Sequence, residues 1–546
     1  MPACQSHPQP TQPIPTAGPL AAIEAAYKAL RYDRDQIDVT RNRGADRNLE
    51  GVLLARLLYR ARTERLRLDT LLKSTLPSPL SQDDRRALAQ MQRAWDAELG
   101  TDPAPEGEDG PGAAPDCDYD APALAARPAG MDSLGNRIVR CYGWAAQHVT
   151  LDSERLDRLT VLGLLGRTDD ADRRKRLFLA LEPVWASVNG DDGPGSPYRT
   201  LARLRATSWQ GGESPLSDAA SALNVDPDSM EAWITRALEG WRRIAPADRL
   251  EPWDFYYATG EVSRLLSPRI PRDRLLAVND RYYHSLGADP RKLGLHYDLE
   301  PRVGKYPVAF TTFGARGGYR NGDWVSGEYW IFTYYPVGGF DNLVELLHET
   351  GHGIHLAAIR TRPAFNDWPD SDTFTEAVAD VAALEAYEPA WQQRFLGDSA
   401  PLRASLRAKY AGILMDLAWG LFEIRLYRDP SLDPNRLWTD ITGSYLRIRP
   451  HPELSWWAMR GQLLDAPGYM LNYALGAFLT ADLRAQIRAR HGPFVPGDAS
   501  WYPWISARLY RFGLQRPARD VVVEFLGRPL SPGALLDDLA RAGGSD

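Results

Sequence analysis

Most of the chain carries helical periodicity, and strand character is confined to one short stretch. Apolar residues recur three and four apart in AAIEAAYKAL and GVLLARLLYRARTERLRL, which predicts helices from Pro19 to about Leu99. The same spacing returns over Ala171–Val188 and Met230–Ile244, and again from residue 340 to near Arg490, with a shorter helical region after that. Strand character appears only between about Val303 and Tyr335. Within it, the run GEYWIFTYYP (Gly327 to Pro336) is rich in aromatic and β-branched residues. It reads either as an edge strand that could pair with an extended peptide or as a plain buried strand. Gly317, Gly318, Gly338 and Gly339 bracket it as turns. No fixed-period repeat is visible.

Two stretches interrupt this pattern. Residues 1–19 (MPACQSHPQPTQPIPTAGP) read as a disordered Pro-rich leader, and Gly100 to Pro122, dense in Pro, Gly, Asp and Glu, is the expected internal break. The fold class is therefore mainly α with one small β-sheet. At 546 residues the chain exceeds one simple core. We expect a single two-lobed unit over 20–546: a mostly N-terminal helical lobe (20–250), a central core (251–490) and a C-terminal helical region (491–546).

One segment narrows the chemistry. LLHETGHGIH places His348 and His352 four apart on a predicted helix, so both imidazoles share a face, with Glu349 on a neighbouring part of that surface. This is the spacing by which two histidines bind zinc while the glutamate serves as general base. The bland reading is a pair of packed helix histidines. The surrounding Leu343, Leu346, Leu347, Ile354 and Leu356 argue against it, because polar groups on a buried helix need partners. A catalytic zinc takes three protein ligands and leaves one position open. Glu376, opening the helical pattern Thr375–Tyr387, is the expected third ligand. Asp380, one turn on, is placed to accept a hydrogen bond from the far nitrogen of a ligand histidine. Glu385 and Glu388 lie further along. Asp341 and Glu345 read as charges near the N-terminus of the motif helix, and His355 as a packing histidine.

Around the motif the chain resembles the thimet oligopeptidase and oligopeptidase A family. HYDLEPRVGKYPVAFTTFGARGG (His296 to Gly318) is similar to the stretch before that family's zinc helix, with Asp298, Leu299, Pro301, Arg302, Gly304 and Lys305 in the signature positions. LEPWDFYY (Leu250 to Tyr257) is similar to its Trp-Asp-x-x-Tyr element, and APGYMLNYALGAF (Ala466 to Phe478) to its Gly-Tyr segment. FTEAVADVAAL looks closer to the angiotensin-converting enzyme group, which also has Glu followed by Asp four residues on. The resemblance covers roughly Leu250 to Phe478. It implies two helical lobes flanking a deep channel with one zinc ion on its floor, oligopeptide substrates, and tyrosines that reach the substrate carbonyl. Here those are Tyr469, which follows Gly468 directly, and Tyr473.

The chain departs from the family pattern at two places. The position of a family histidine falls near Leu464, with His451 as a possible replacement, and Gly476 stands where a third tyrosine is found. The expected function is thus zinc-dependent hydrolysis of peptide bonds in short unfolded oligopeptides. The alternatives are a hydrolase of the same fold acting on a modified or cyclic peptide, or a non-catalytic binding protein.

Composition adds bounds. Hydrophobic residues at 44% and charged residues at 25% fit a globular chain, and a net charge of −7 without any basic block argues against nucleic acid. No run is apolar enough to span a membrane; Ala411–Leu426, interrupted by Asp416 and Glu423, reads as a buried helix. Cys4, Cys117 and Cys141 are too few for a disulfide framework, though a Cys117–Cys141 bridge remains open. We expect a monomer that is cytoplasmic, or periplasmic or secreted if a signal was removed. A cationic pocket for a substrate carboxylate, if there is one, could use Arg460 or Arg316.

Overall fold

The computed structural model describes every residue except 1–17, 44–46, 75–79, 104–113, 209–213, 303–304, 306–307, 467 and 544–546. The expected leader thus lies outside the described residues apart from Gly18 and Pro19, which turn into the first helix. The architecture is the mainly helical, two-lobed one expected, with a small sheet beside the motif helix. Strands are not confined to 303–335: Leu295–Asp298 joins that sheet, Val149–Leu151 pairs with Glu154–Leu156 in a second, and Gly318–Arg320 pairs with Asp323–Val325 in a third.

The first three long helices, Ala21–Arg43, Arg47–Leu72 and Gln82–Ala94, build a core of their own around Leu30, Ile37, Leu57, Leu68 and Met91. Ser81 caps the third by accepting from the Asp84 N–H at 3.0 Å, which satisfies one orphan donor. Ala364 and Phe365, from the segment just after the motif helix, insert into this core. Arg362 fastens them there through ion pairs to Glu24, Asp83 and Asp84 at 2.7, 2.6 and 3.1 Å. A second, much larger core runs from Ala121 to Ala542. The helical pattern over 171–188 is realised as two helices, Ala171–Leu179 and Glu182–Asn189, because Pro183 can open a helix but cannot sit inside one.

The sheet beside the motif helix has three strands. Glu328–Phe332 lies in the middle, parallel to Leu295–Asp298 on one side and antiparallel to Phe310–Ala315 on the other. Leu295–Asp298 and Phe310–Ala315 are the two edges of the sheet, and the GEYWIF run is therefore the central, buried strand. Its aromatic and β-branched content reflects burial on both flanks. The register of the edge strand shifts between Phe313 and Ala315. A side chain at Gly314 would meet the Trp330 ring at 2.6 Å, so glycine lets the two strands close up.

Two further glycines set the position of the motif helix, Phe340–Ala358. A Cβ at Gly353 would stand 2.8 Å from Leu295, so the helix settles directly on the sheet. A Cβ at Gly351 would stand 2.4 Å from the carbonyl oxygen of Ala379, so the next helix, Asp372–Ala383, crosses at backbone contact. Cys117 and Cys141 are disulfide-bonded, with Cα atoms 5.7 Å apart. No helix among the described residues is long and apolar enough to cross a membrane.

Candidate metal centre

The motif helix starts at a chain reversal. Gly339 holds φ at +124°, a conformation that needs glycine, and the Ser267 hydroxyl accepts from the Phe340 N–H at 3.2 Å. Ser263 donates to Asp341 in the first turn, which fits the reading of that carboxylate as a helix-start charge. The crossing helix is capped by Ser371, which accepts from the Phe374 N–H at 3.2 Å. It is pinned to the helix Tyr469–Arg490 by Thr373, donating to Asn472 at 2.9 Å, and by Thr480, donating to the Ala377 carbonyl at 3.2 Å.

The close crossing at Gly351 brings one ligand atom each from His348, His352 and Glu376 within 4.8 Å of one another, a set able to hold a metal ion. The two rings stand at 90° with centroids 4.7 Å apart. Asp380 accepts from His348 Nδ1 at 2.7 Å, which leaves Nε2 facing Glu376 at 3.5 Å. Burial works against a charged His348, but Asp380 and Glu376 outweigh it and hold its pKa well above the ordinary histidine value. His352 goes the other way: burial, with His348 adding to it, pushes its pKa well down. The His352 Nδ1 is buried with no hydrogen-bond partner, and the ring meets Trp368 edge-on at 5.5 Å. A neutral, unprotonated imidazole beside a second imidazole and a carboxylate is the donor chemistry a divalent zinc ion takes, so these residues fit the ion.

Glu349 is 6% exposed, and burial pushes its carboxyl up to about 7. The Thr311 hydroxyl, from the edge strand, lies 2.7 Å from Oε2 and 2.9 Å from the main-chain oxygen of Glu349. Tyr473 lines the cavity of about 150 Å³ at His348, Glu376 and Asp380, as does Gly476. Tyr469 stands one turn earlier, its ring 5.8 Å from that of Tyr473.

The other candidates have separate occupations. Glu385 pairs with Arg484 and Arg488, and Glu388 with Arg541. His451 is engaged by Glu453 at 2.6 Å and Glu251 at 2.8 Å, and Leu464 is buried with its carbonyl accepting from Arg205. His355 is buried among Trp368, Phe374 and Tyr510, and burial pushes its pKa to about 3, so it packs as a neutral ring. Arg316 is committed to Asp35 and Asp367. Thr311, Trp368 and Glu423 belong to the centre or its supports without any sequence pattern singling them out. Glu423 accepts from the N–H groups of Gly468 and Met470 at 3.0 and 2.9 Å and so fixes the start of the tyrosine-bearing helix.

No family model and no curated relative matches the sequence. Several solved structures share the fold over nearly the whole chain. A PZ peptidase A with an inhibitor is 14% identical at a TM-score of 0.55, covering 96% of each chain. An M32 carboxypeptidase from Deinococcus radiodurans R1 is 13% identical at 0.53, covering 96% of this chain and 98% of that one. A Pyrococcus furiosus carboxypeptidase is 14% identical at 0.54, covering 97% and 99%. At such identities the likeness is one of fold: the chain is built on the helical architecture these peptidase structures share.

Proposed function

We propose that this protein is a zinc-dependent peptidase that hydrolyses peptide bonds in short unfolded oligopeptides. The observation that carries the reading is the convergence of His348, His352 and Glu376 within 4.8 Å, with the Glu349 carboxylate on the same helix. The names of the structures that share the fold support the same reaction class, as do the sequence segments similar to the thimet oligopeptidase family.

In this reading His348, His352 and Glu376 hold the ion, and Asp380 fixes the ring and tautomer of His348. When bound, zinc supplies Lewis acidity and draws the pKa of water down toward neutrality. Glu349 takes the proton of the attacking water and passes it to the leaving amine nitrogen. A carboxyl near pH 7 is matched to both transfers. Thr311 keeps Oε2 of that base in one place. The phenols of Tyr469 and Tyr473 are the candidate donors to the developing oxyanion, a kind of stabilisation worth about 3 kcal/mol per donor. Phe310–Ala315, an edge strand that carries Thr311, is the candidate to pair with an extended peptide.

The test is turnover of a library of short quenched peptides by zinc-loaded wild type and by Glu349→Gln. Chelator-sensitive cleavage that falls by about 10² to 10⁴ in Glu349→Gln is expected. Cleavage that survives the substitution removes Glu349 as the base. Stoichiometric zinc with no turnover of any linear peptide favours a modified substrate or a binding protein instead.

A further inference from the structure

A cavity of about 340 Å³ adjoins the metal centre, and Asp416 lines both spaces. It is the larger of the two, and two arginines, Arg158 and Arg460, face into it. Arg460 is held rigidly. Its guanidinium lies 5.5 Å from the Trp419 ring and 5.2 Å from the Tyr473 ring, and Asp416 pairs with it at 2.9 Å. Trp419 is itself fixed by donating to the Trp457 carbonyl at 2.9 Å. The chain on either side is fixed by Tyr142, which donates to the Met459 carbonyl at 2.7 Å and whose ring leaves no room for a side chain at Gly461. Tyr473 thus belongs to both surroundings: it lines the metal cavity with Glu376 and lies against the Arg460 guanidinium.

Two arginines and two aspartates line this cavity, so its formal charges balance, and Arg158 is the cation that no carboxylate pairs with among the described residues. Asp416 is neutralised by Arg460, and Asp341 receives the Ser263 hydroxyl at the start of the motif helix. Arg460 meets Asp416 through Nη2, while its Nε is enclosed without a hydrogen-bond partner. Arg158 has no ion pair among the described residues, yet its field, like that of Arg460, reaches the Tyr256 phenol on the cavity wall. Two guanidinium groups and a phenol converging on one space beside a hydrolytic centre are the chemistry that recognises a carboxylate. Because Arg460 is already immobilised by stacking, little ordering entropy is lost when it binds.

We propose that this cavity is a subsite for a carboxylate of the bound peptide, held by Arg460 and Arg158. The proposal rests on the peptidase reading above. The carboxylate is either an Asp or Glu side chain or the free C-terminus, and these share one chemistry.

The test uses the zinc-loaded full chain and four quenched peptides of one parent sequence: amidated and neutral, amidated with an internal Glu, free C-terminus without Glu, and amidated with an internal Lys. Wild type is expected to show a kcat/KM at least about tenfold higher for one carboxylate peptide than for its neutral partner, as a charge-assisted contact allows. Which of the two is preferred identifies the source. Arg158→Glu should bring that ratio near one and raise turnover of the Lys peptide relative to the neutral one. Arg460→Gln should lower the same ratio mainly through KM. A merely structural role would slow all four peptides alike and would not reverse the charge preference. A wild-type ratio near one, or a ratio unchanged in both variants, overturns the subsite while leaving the peptidase reading intact. No turnover of any of the four by zinc-loaded wild type overturns that reading, and the subsite with it.

Discussion

Among single residues, Asp380 and Glu423 act only through what they hold. Asp380 is hydrogen-bonded to a nitrogen of His348 that faces away from Glu376. Asp380→Ala should therefore weaken zinc binding by about 10- to 100-fold, read by chelator competition, while the fold survives; unchanged affinity would show that the bond does no orienting. Glu423 is fully buried, and burial pushes its carboxyl up to about 8, from an ordinary value near 4.5. The folded state thus keeps a proton that the unfolded chain releases. This contribution to stability is complete below about pH 4.5 and is lost as pH rises to about 8. Wild type should lose unfolding free energy across that window more steeply than Glu423→Gln. Equal slopes in denaturant titrations at pH 5 and pH 8 would refute it, whatever constant offset the lost contacts add. Residues were unevenly legible at this scale. The His348–His352 pair and the Glu376–Asp380 step are helical spacings, visible in one dimension. Thr311, Trp368 and Glu423 meet their partners across 38, 16 and 45 residues, in Glu349, His352 and Gly468, and no local pattern records such meetings.

Between elements, the decisive quantity is how closely two helices cross. Gly351→Ala sets two effects against each other. Alanine favours an isolated helix over glycine by about 1 kcal/mol. Its Cβ would however lie 2.4 Å from the Ala379 carbonyl oxygen, which is backbone and cannot swing aside. Overpacking of about 1–3 kcal/mol should win. We expect a lower melting temperature and weaker zinc binding together, since the same shift moves Glu376 from the histidines; a variant as stable as wild type with full zinc affinity would rule this out. Helix existence was readable from periodicity at this scale, including the long buried helix Leu402–Arg428 over Ala411–Leu426. Strand order was not. Glu328–Phe332 and Phe310–Ala315 are both short and apolar, and only tertiary pairing decides which one is enclosed.

For the whole molecule, one covalent tie and several ionic ones hold distant parts of the chain together. The Cys117–Cys141 bond joins the segment before the helix Gly130–Gln147 to that helix, closing a loop of 24 residues' separation. Chain-entropy arguments value such a closure at about 3 kcal/mol. Replacing both cysteines with alanine, or reducing the bond, should lower the melting temperature by several degrees; identical melting curves with and without reductant would discard the claim. The spacing alone could not decide this bond, because pairing depends on where the loop returns. The lobes themselves were foreseeable from length and pattern, whereas the clasp of Arg362 on Glu24, Asp83 and Asp84 was not.

The Gln36 side chain, from the first helix, donates to the carbonyl of Gly314 at 2.7 Å. That carbonyl belongs to the edge strand Phe310–Ala315, three residues along from the Thr311 that is hydrogen-bonded to Glu349. An extended peptide paired with this strand, as the proposed function has it, would meet an occupied carbonyl after roughly 10 Å of travel from Thr311. Under the proposed function such a guest would have to lift off or turn beyond that point, and the first helix would then limit how many residues pair on that side of the scissile bond.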